Sequence, residues 1–357
     1  MNFNDIKEVN NFDSGRVAES IVVLPDQIKD VLRQAKKFRL PTSYSKIDKV
    51  VVSGMGGSGL GARIISSVFK DRLKIPLLLE ANYGVPGFVD KKTLLVISSY
   101  SGTTEETLSA YAEAKKRKAK IVVLSANGRN NKLEELMHKE GLNGFIFNPI
   151  ANPSGQPRMA LGYAIFALLS ILEKAKVIRI LPKEKESIVR GLVVLGKQLD
   201  ISVNDNEAKR LALEMSGHQI FLCGGDFLEG NLHAFRNQLC ENSKNMASYL
   251  VLPDMNHFAL EGLSNPLNNK DNLIFLFFKS ELYRSEIKKR LELTRQAVEK
   301  SGIKVLVCDL KSKTKLGQAA EVLQIGSWIT FYLAFLNGVD PVKIPMVDWF
   351  KDRLAEK

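Results

Sequence analysis

Thiol chemistry has little to work with in this chain. The three cysteines, Cys223, Cys240 and Cys308, are odd in number and far apart, and no CxxC pair occurs. That excludes a disulfide scaffold and a CxxC redox or zinc motif. Cys223 and Cys308 lie inside apolar runs and read as small core residues. Long hydrophobic runs are missing too: the longest, "WITFYLAFL", is far too short to span a bilayer. The segment "MNFNDIKEVNNFDSG" is polar and lacks the apolar core of a secretory signal. A reducing cytoplasm and no membrane are therefore expected. The net charge of +12 favours anionic partners, but no dense Lys/Arg block interleaved with aromatics is present. The richest basic stretch, "EAKKRKAK", closes a helical pattern, where cations suit the helix dipole. Nucleic acid is accordingly not an expected partner.

What is present is an alternation of short apolar runs and helical patterns. "KVVVSG", "IPLLLE", "TLLVISS", "KIVVLSA" and "GFIFNP" are strand-like, with helical segments such as "LGARIISSVFKD" and "TTEETLSAYAEAKKRKA" between them. Short, doubly apolar strands separated by helices predict a parallel sheet covered on both faces. The pattern restarts at "QIFLCGG", followed by the helix "LEGNLHAFRNQLCENSKNMA" and the strands "YLVLPD", "NLIFLFF" and "IKVLVCDL". Gly56-Gly57 and Gly224-Gly225 fall at equivalent points of the two halves. The chain divides into a helical segment over 1–45, an α/β unit over 46–152, connecting helices over 153–204, a second α/β unit over 205–312, and a C-terminal helix and tail over 313–357.

Two turns carry the chemical signal. "VVVSGMGGSGLGA" contains Gly54-Met-Gly56-Gly-Ser-Gly59, which fits G-x-G-x-x-G, and Glu80 follows Gly59 by 21 positions (80 − 59). On its own this loop reads equally as a dinucleotide fingerprint or as a site for another phosphate. The second turn, "VISSYSGTTEETL", crowds Ser99, Tyr100, Ser101, Thr103 and Thr104 between a strand and a helix. Ser and Thr before a helix are ordinarily caps. Placed beside Gly57-Ser58 in one crevice, however, such hydroxyls and free N–H groups suit a phosphate monoester.

Gly56-Gly57-Ser58-Gly59 with "SYSGTTEET" resembles the sugar isomerase (SIS) domain, which binds phosphosugars with these two turns. The segments "NPSGQPRMALGY", "NQLCENSK" and "PDMNHFALEG" resemble the bifunctional phosphoglucose/phosphomannose isomerase family of archaea and some bacteria. The resemblance runs from about Val50 to the end of the chain. It implies two flavodoxin-like SIS domains, each a parallel sheet sandwiched by helices, with a helical N-terminal segment and a C-terminal tail. It also implies aldose–ketose isomerisation of a small sugar phosphate through an enediolate, and a homodimer. No metal or redox cofactor is needed for that chemistry, and no metal-ligand cluster is evident.

The resemblance assigns Gly57, Ser58, Ser99, Ser101, Thr104 and Arg158 to the substrate, and Glu241, His257, Lys351 and Arg158 to catalysis. By pattern alone Glu241 is an ordinary solvated helix glutamate; its likeness to the family's "NQLCENSK" segment makes it the proton-transfer base. His233 competes with His257 for ring opening, because it shares a helix face with Asn237 and Glu241. The family's pattern favours His257, which comes 16 residues after the glutamate (257 − 241). His138 and His218 lie near turn glycines and read as exposed. Arg158 follows Pro157 at the start of a long helix, where a cation opposes the dipole and invites an anionic neighbour. It is the enediolate stabiliser by resemblance. Lys351, in "DWFKDRL", resembles the family's tail lysine of ring opening and substrate contact. A non-catalytic phosphosugar-binding SIS protein, another sugar-phosphate isomerase and a dinucleotide enzyme are the competing readings. The family's permissive small residue for mannose has no counterpart in "VKIPMVDWFK", which lacks Ser and Thr.

Overall fold

Strands that are apolar on both faces need helices on both faces, and the chain supplies them in alternation. The computed structural model describes residue 3 and residues 5–356. Helices α1 (Ile6–Phe12), α2 (Val17–Val22) and α3 (Leu24–Ala35) lead into β1 (Lys49–Ser53), α4 (Gly56–Val68), β2 (Leu77–Glu80), β3 (Thr93–Ser98), α5 (Glu105–Lys116), β4 (Lys120–Ala126), α6 (Lys132–Glu140) and β5 (Asn143–Phe147). The five strands pair in parallel in the order β2-β1-β3-β4-β5. This is the flavodoxin-like order, whose topological switch point lies between β1 and β3. All six residues of β3 are buried, as its continuous apolar run requires.

Three connecting helices follow, α7 (Leu161–Lys174), α8 (Pro182–Leu199) and α9 (Glu207–Met215). Then come β6 (Gln219–Gly225), α10 (Glu229–Glu241), β7 (Ala247–Leu252), α11 (Asn269–Asn272), β8 (Leu273–Ser280), α12 (Ser285–Lys300) and β9 (Lys304–Leu310). The second sheet is parallel in the order β7-β6-β8-β9, with its switch point between β6 and β8. α13 (Lys315–Leu336) and α14 (Pro345–Ala355) close the chain. Cys223 and Cys308 are fully buried, as their apolar surroundings indicate.

Two elements depart from the sequence pattern. α9 occupies a stretch in which the pattern marks no element. The helical pattern through Ala247 stops at Glu241: Asn242 caps it, and Lys244 turns the chain with φ +57°. The apolar "WITFYLAFL" lies in α13, as the helical pattern of "KLGQAAEVLQIGSWITFYLAFLNG" predicts; the helix has 22 residues and an 18-residue stretch of mean hydropathy 1.4, long and apolar enough to cross a membrane. It is instead a core helix, 94% buried within the chain.

α13 also carries polar residues at every third position from Gln318 to Thr330, and two of them, with one backbone carbonyl, fix α10 against it. Asn231 Nδ2 donates to Ala319 O (2.7 Å), Gln238 Nε2 to Ser327 Oγ (2.8 Å) and Asn242 Nδ2 to Thr330 Oγ1 (3.1 Å). All three α10-side donors are buried, so each needs its partner. The ladder sets the register of α10 and hence the place of its last residue, Glu241.

Candidate active site

The two glycine- and hydroxyl-rich turns meet at the switch point of the first sheet. Gly56 is left-handed (φ +49°), a conformation glycine adopts freely. A Cβ on Gly59 would lie 2.5 Å from Gly54 O, so α4 starts hard against the turn only because both positions are glycine. Ser58 Oγ accepts the Tyr100 N–H (2.9 Å) and Ser98 Oγ donates to Ser58 O (3.0 Å), which ties the two turns together. Ser99 Oγ lies 2.8 Å from Thr104 Oγ1 and 3.4 Å from Ser101 Oγ, and Ser101 Oγ lies 3.0 Å from Thr103 Oγ1. No side chain caps α4 or α5, whereas Asn131 caps α6 and Thr314 caps α13. Two helix N-termini with free N–H groups and rotatable hydroxyls thus face one crevice, an arrangement suited to an anion.

Arg158 stands at this crevice. Pro157–Met159 form a short 3₁₀ turn ahead of α7, so Arg158 precedes the long helix rather than beginning it. Its backbone passes Gly57 closely: a Cβ there would be 3.7 Å from Arg158 N. The guanidinium is buried and well supplied with acceptors. Nε donates to Asn242 Oδ1 (2.8 Å), Nη1 to Gln156 Oε1 (3.0 Å), and Nη2 to Pro341 O (2.8 Å) and Val342 O (2.6 Å). Glu241 Oε2 is 4.0 Å from Nε. Burial presses the Arg158 pKa down, and the charges of Glu241, Asp340 and Asp348 oppose it.

Glu241 sits at the C-terminal end of α10, partly buried. Burial raises its pKa above the ordinary carboxylate range, with Arg158, Lys351 and Lys244 pulling it back. A carboxylate held between desolvation and cations can both take and return a proton. Lys351, on exposed α14, therefore acts electrostatically on Glu241, and Asp348 one turn earlier acts on Arg158. Arg158, Glu241 and Lys351 are brought together from three separate parts of the sequence.

The histidines fall elsewhere. His257 ends a 3₁₀ turn after β7, is exposed, and makes no hydrogen bond or ion pair among the described residues. His233 lies eight residues before Glu241, about 12 Å along the helix. Its Nδ1 is 3.3 Å from Tyr249 Oη, and Arg236 Nη2 reaches its ring at 3.2 Å. Burial, then Arg63 and Arg236, lowers its pKa to about 4, so the ring is neutral. His138 is exposed as expected, but His218 is half-buried, with Nδ1 3.0 Å from Ser216 O. Among the described residues no His, Cys, Asp and Glu group could hold a metal ion.

Sequence reasoning missed Asn242, Lys244 and the carbonyls of residues 340–342. Asn242 and Lys244 lie inside the quoted "NQLCENSK", but nothing in a lone Asn or Lys marks the first as buried against Arg158, 84 positions away, or the second as reaching Asp340 O, 96 positions on.

The chain matches the family described as "SIS domain" over residues 43–135 and "Bacterial phospho-glucose isomerase C-terminal SIS domain" over residues 204–354. It is 33% identical over 348 residues to a bifunctional phosphoglucose/phosphomannose isomerase of Caldicellulosiruptor bescii, covering 95% of this chain and 98% of that one. A protein of the same name from Thermoplasma volcanium is 30% identical over 92% of this chain and 97% of its own length. Among solved structures, a hypothetical protein from Thermus thermophilus superposes with a TM-score of 0.74 at 17% identity, over 98% of this chain and 94% of that one. The C-terminal domain of glucosamine-fructose-6-phosphate aminotransferase from Francisella tularensis gives a TM-score of 0.68 at 16% identity, over 90% and 96%. At such identities these structures speak to the fold alone.

Proposed function

Since the chain belongs to the bifunctional phosphoglucose/phosphomannose isomerase family, we propose that it interconverts fructose 6-phosphate with glucose 6-phosphate and with mannose 6-phosphate. The observation that carries this reading is the meeting of Arg158 and Glu241, 4.0 Å apart, beside the Gly57 turn. A phosphate seated on the N-termini of α4 and α5, with Ser99, Ser101 and Thr104, places the sugar toward these two side chains. Glu241 takes the proton from C2 of the aldose and returns it to C1, and the reverse for the ketose. Arg158 lowers the energy of the oxyanion that develops on the enediolate. Lys351 contacts the substrate and assists ring opening from α14. His257 is the ring-opening acid–base. Its distance from Glu241 in sequence and its exposed, unpartnered position suit a homodimer in which it serves the neighbouring protomer's site.

One base serves both epimers if the C1–C2 segment rotates about C2–C3, because C2 is planar in the enediolate. The test is to incubate the protein with fructose 6-phosphate to equilibrium and quantify both aldoses by chromatography. Both are expected. Glucose 6-phosphate alone restricts the assignment to phosphoglucose isomerase, and binding without turnover leaves a phosphosugar-binding protein.

A further inference from the structure

The stretch joining α13 to α14 has no regular structure, yet side chains from several elements hold it. Asn337 Nδ2 donates to Ser243 O (2.9 Å) and Asn245 Oδ1 (2.8 Å). Lys244 Nζ donates to Asn242 O (3.1 Å) and to Asp340 O. Arg158 takes the next two carbonyls, Pro341 O and Val342 O. Asp340 Oδ1 accepts the Val342 N–H (2.8 Å), and Val342 fills the space left by Gly15, where a Cβ would lie 2.2 Å from its Cγ2. Three consecutive carbonyls are thus gripped by two cations.

Beyond this root α14 has no buried residue among those described. Packing of the helix itself does not fix it in the chain, so its direction depends on the root. The helix nevertheless carries Lys351 and Asp348, whose charges act on Glu241 and Arg158. Lys244 pays for its position in two ways. It adopts φ +57°, a left-handed conformation costly for a side chain with Cβ, and its ammonium is partly desolvated beside a second cation, Arg158. Residues held at such a cost persist where the surrounding structure requires them.

We propose that Lys244 and Asn242 are positioning residues: Asn242 aims the Arg158 guanidinium, and Lys244 with Arg158 latches the root of α14 so that Lys351 faces Glu241. This rests on the reading of Glu241 and Lys351 as parts of the isomerase site. On that reading the phosphate seats on the N-termini of α4 and α5 and Lys351 supplies one contact among several, so a loosened latch falls more on turnover than on KM.

The experiment pairs limited trypsin digestion with kinetics on the full chain. Wild-type turnover of fructose 6-phosphate is measured first, and its absence refutes the functional reading without touching the latch. Lys244→Met is expected to release the C-terminal peptide by cleavage after Lys343 about tenfold faster. Its kcat should fall about tenfold with KM nearly unchanged, as a misplaced group costs. The charges facing Glu241 are Arg158, Lys351 and Lys244, with Asp340 and Asp348 facing Arg158. Removing the Lys244 cation raises the Glu241 pKa, so the acid limb of kcat/KM moves to higher pH. Lys244→Arg should restore the latch, the rate and the limb. Asn337→Ala, which loosens the same root but keeps the Lys244 cation, should speed cleavage and lower kcat while moving the limb to higher pH by less than Lys244→Met, because only the contribution of a displaced Lys351 is lost. It also keeps the test decisive if Lys244→Met does not fold. Unchanged cleavage in the variants refutes the latch, and faster cleavage with unchanged kcat refutes the positioning role.

Discussion

The molecule contains the same crevice twice. Each sheet has a switch point at the carboxyl ends of two neighbouring strands, β1 and β3 in one, β6 and β8 in the other. In the first the turn reads Gly56-Gly57-Ser58 and faces a cluster of hydroxyls. In the second, Gly224-Gly225 end β6 instead of opening the helix, so they are not the counterparts of Gly56-Gly57; the turn reads Asp226-Phe227-Leu228, and Phe227 and Leu228 are fully buried. Tyr283, from the turn after β8, fills the space: its hydroxyl accepts the Gly225 N–H (3.3 Å) and donates to Phe278 O (3.1 Å). Its ring lies 5.4 Å from that of Phe227. One crevice is left open with donors facing in; the other is closed by an aromatic side chain whose polar end is satisfied. The second unit therefore contributes to the candidate site from elsewhere, through the C-terminal end of α10. A repeated fold offers two equivalent places for a ligand, and the side chains in the turns decide which one is equipped.

Substitutions can break or sharpen this division. The largest effect is expected for Glu241→Gln, which removes the proposed proton acceptor from the second unit. kcat should fall about 10³-fold, the scale of general base catalysis, with sugar-phosphate binding near wild type by calorimetry. Retention of most of the turnover would place the base elsewhere. The double variant Ser99→Ala/Thr104→Ala strips donors from the open crevice. It should raise KM for fructose 6-phosphate about tenfold with a smaller change in kcat, as loss of ground-state contacts to a charged group does. Tyr283→Phe is its counterpart in the closed crevice. It leaves the buried Gly225 N–H without a partner and should cost about 1–2 kcal/mol in denaturant unfolding. KM should not move; a change in KM would mean that the second crevice also handles substrate.

The smallest effect concerns pH. On the proposed mechanism Glu241 acts as a carboxylate, and burial raises its pKa. The acid limb of kcat/KM should therefore lie above that of an ordinary glutamate. Lys351→Met removes a cation that lowers this pKa, so the limb should move higher still. A pH–rate profile of the two proteins checks both statements, and a limb that falls with the substitution contradicts them.

Much of the architecture was legible because its signals are local. β3 and β4 are doubly apolar and flanked by helices, so a covered parallel sheet follows from the pattern of Thr93–Ser98 and Lys120–Ala126 alone. The two turns were legible as anion-binding candidates because glycine and hydroxyl residues act within a few positions of one another. The end of α10 was not. The amphipathic pattern runs past Glu241, and the stop depends on Lys244 reaching the root of α14. The helix over 315–336 was legible, but what its polar residues do was hidden. Its polar residues Ser327 and Thr330 match Gln238 and Asn242 beside them in space, rather than marking a face toward water.

Arg158 shows where the sequence ended and the tertiary structure began. From the sequence came a cation after a proline, before a long apolar helix, and hence the need for an acceptor. Which acceptor is used is a matter of distance between segments far apart in the chain: Asn242, 84 residues on, and the carbonyls of Pro341 and Val342, 183 and 184 residues on. Local pattern determines strands, helices and turn chemistry because those depend on neighbours within a few residues. The meeting of Arg158, Glu241 and Lys351 depends on how two sheets and α13 pack, and only the folded chain decides it.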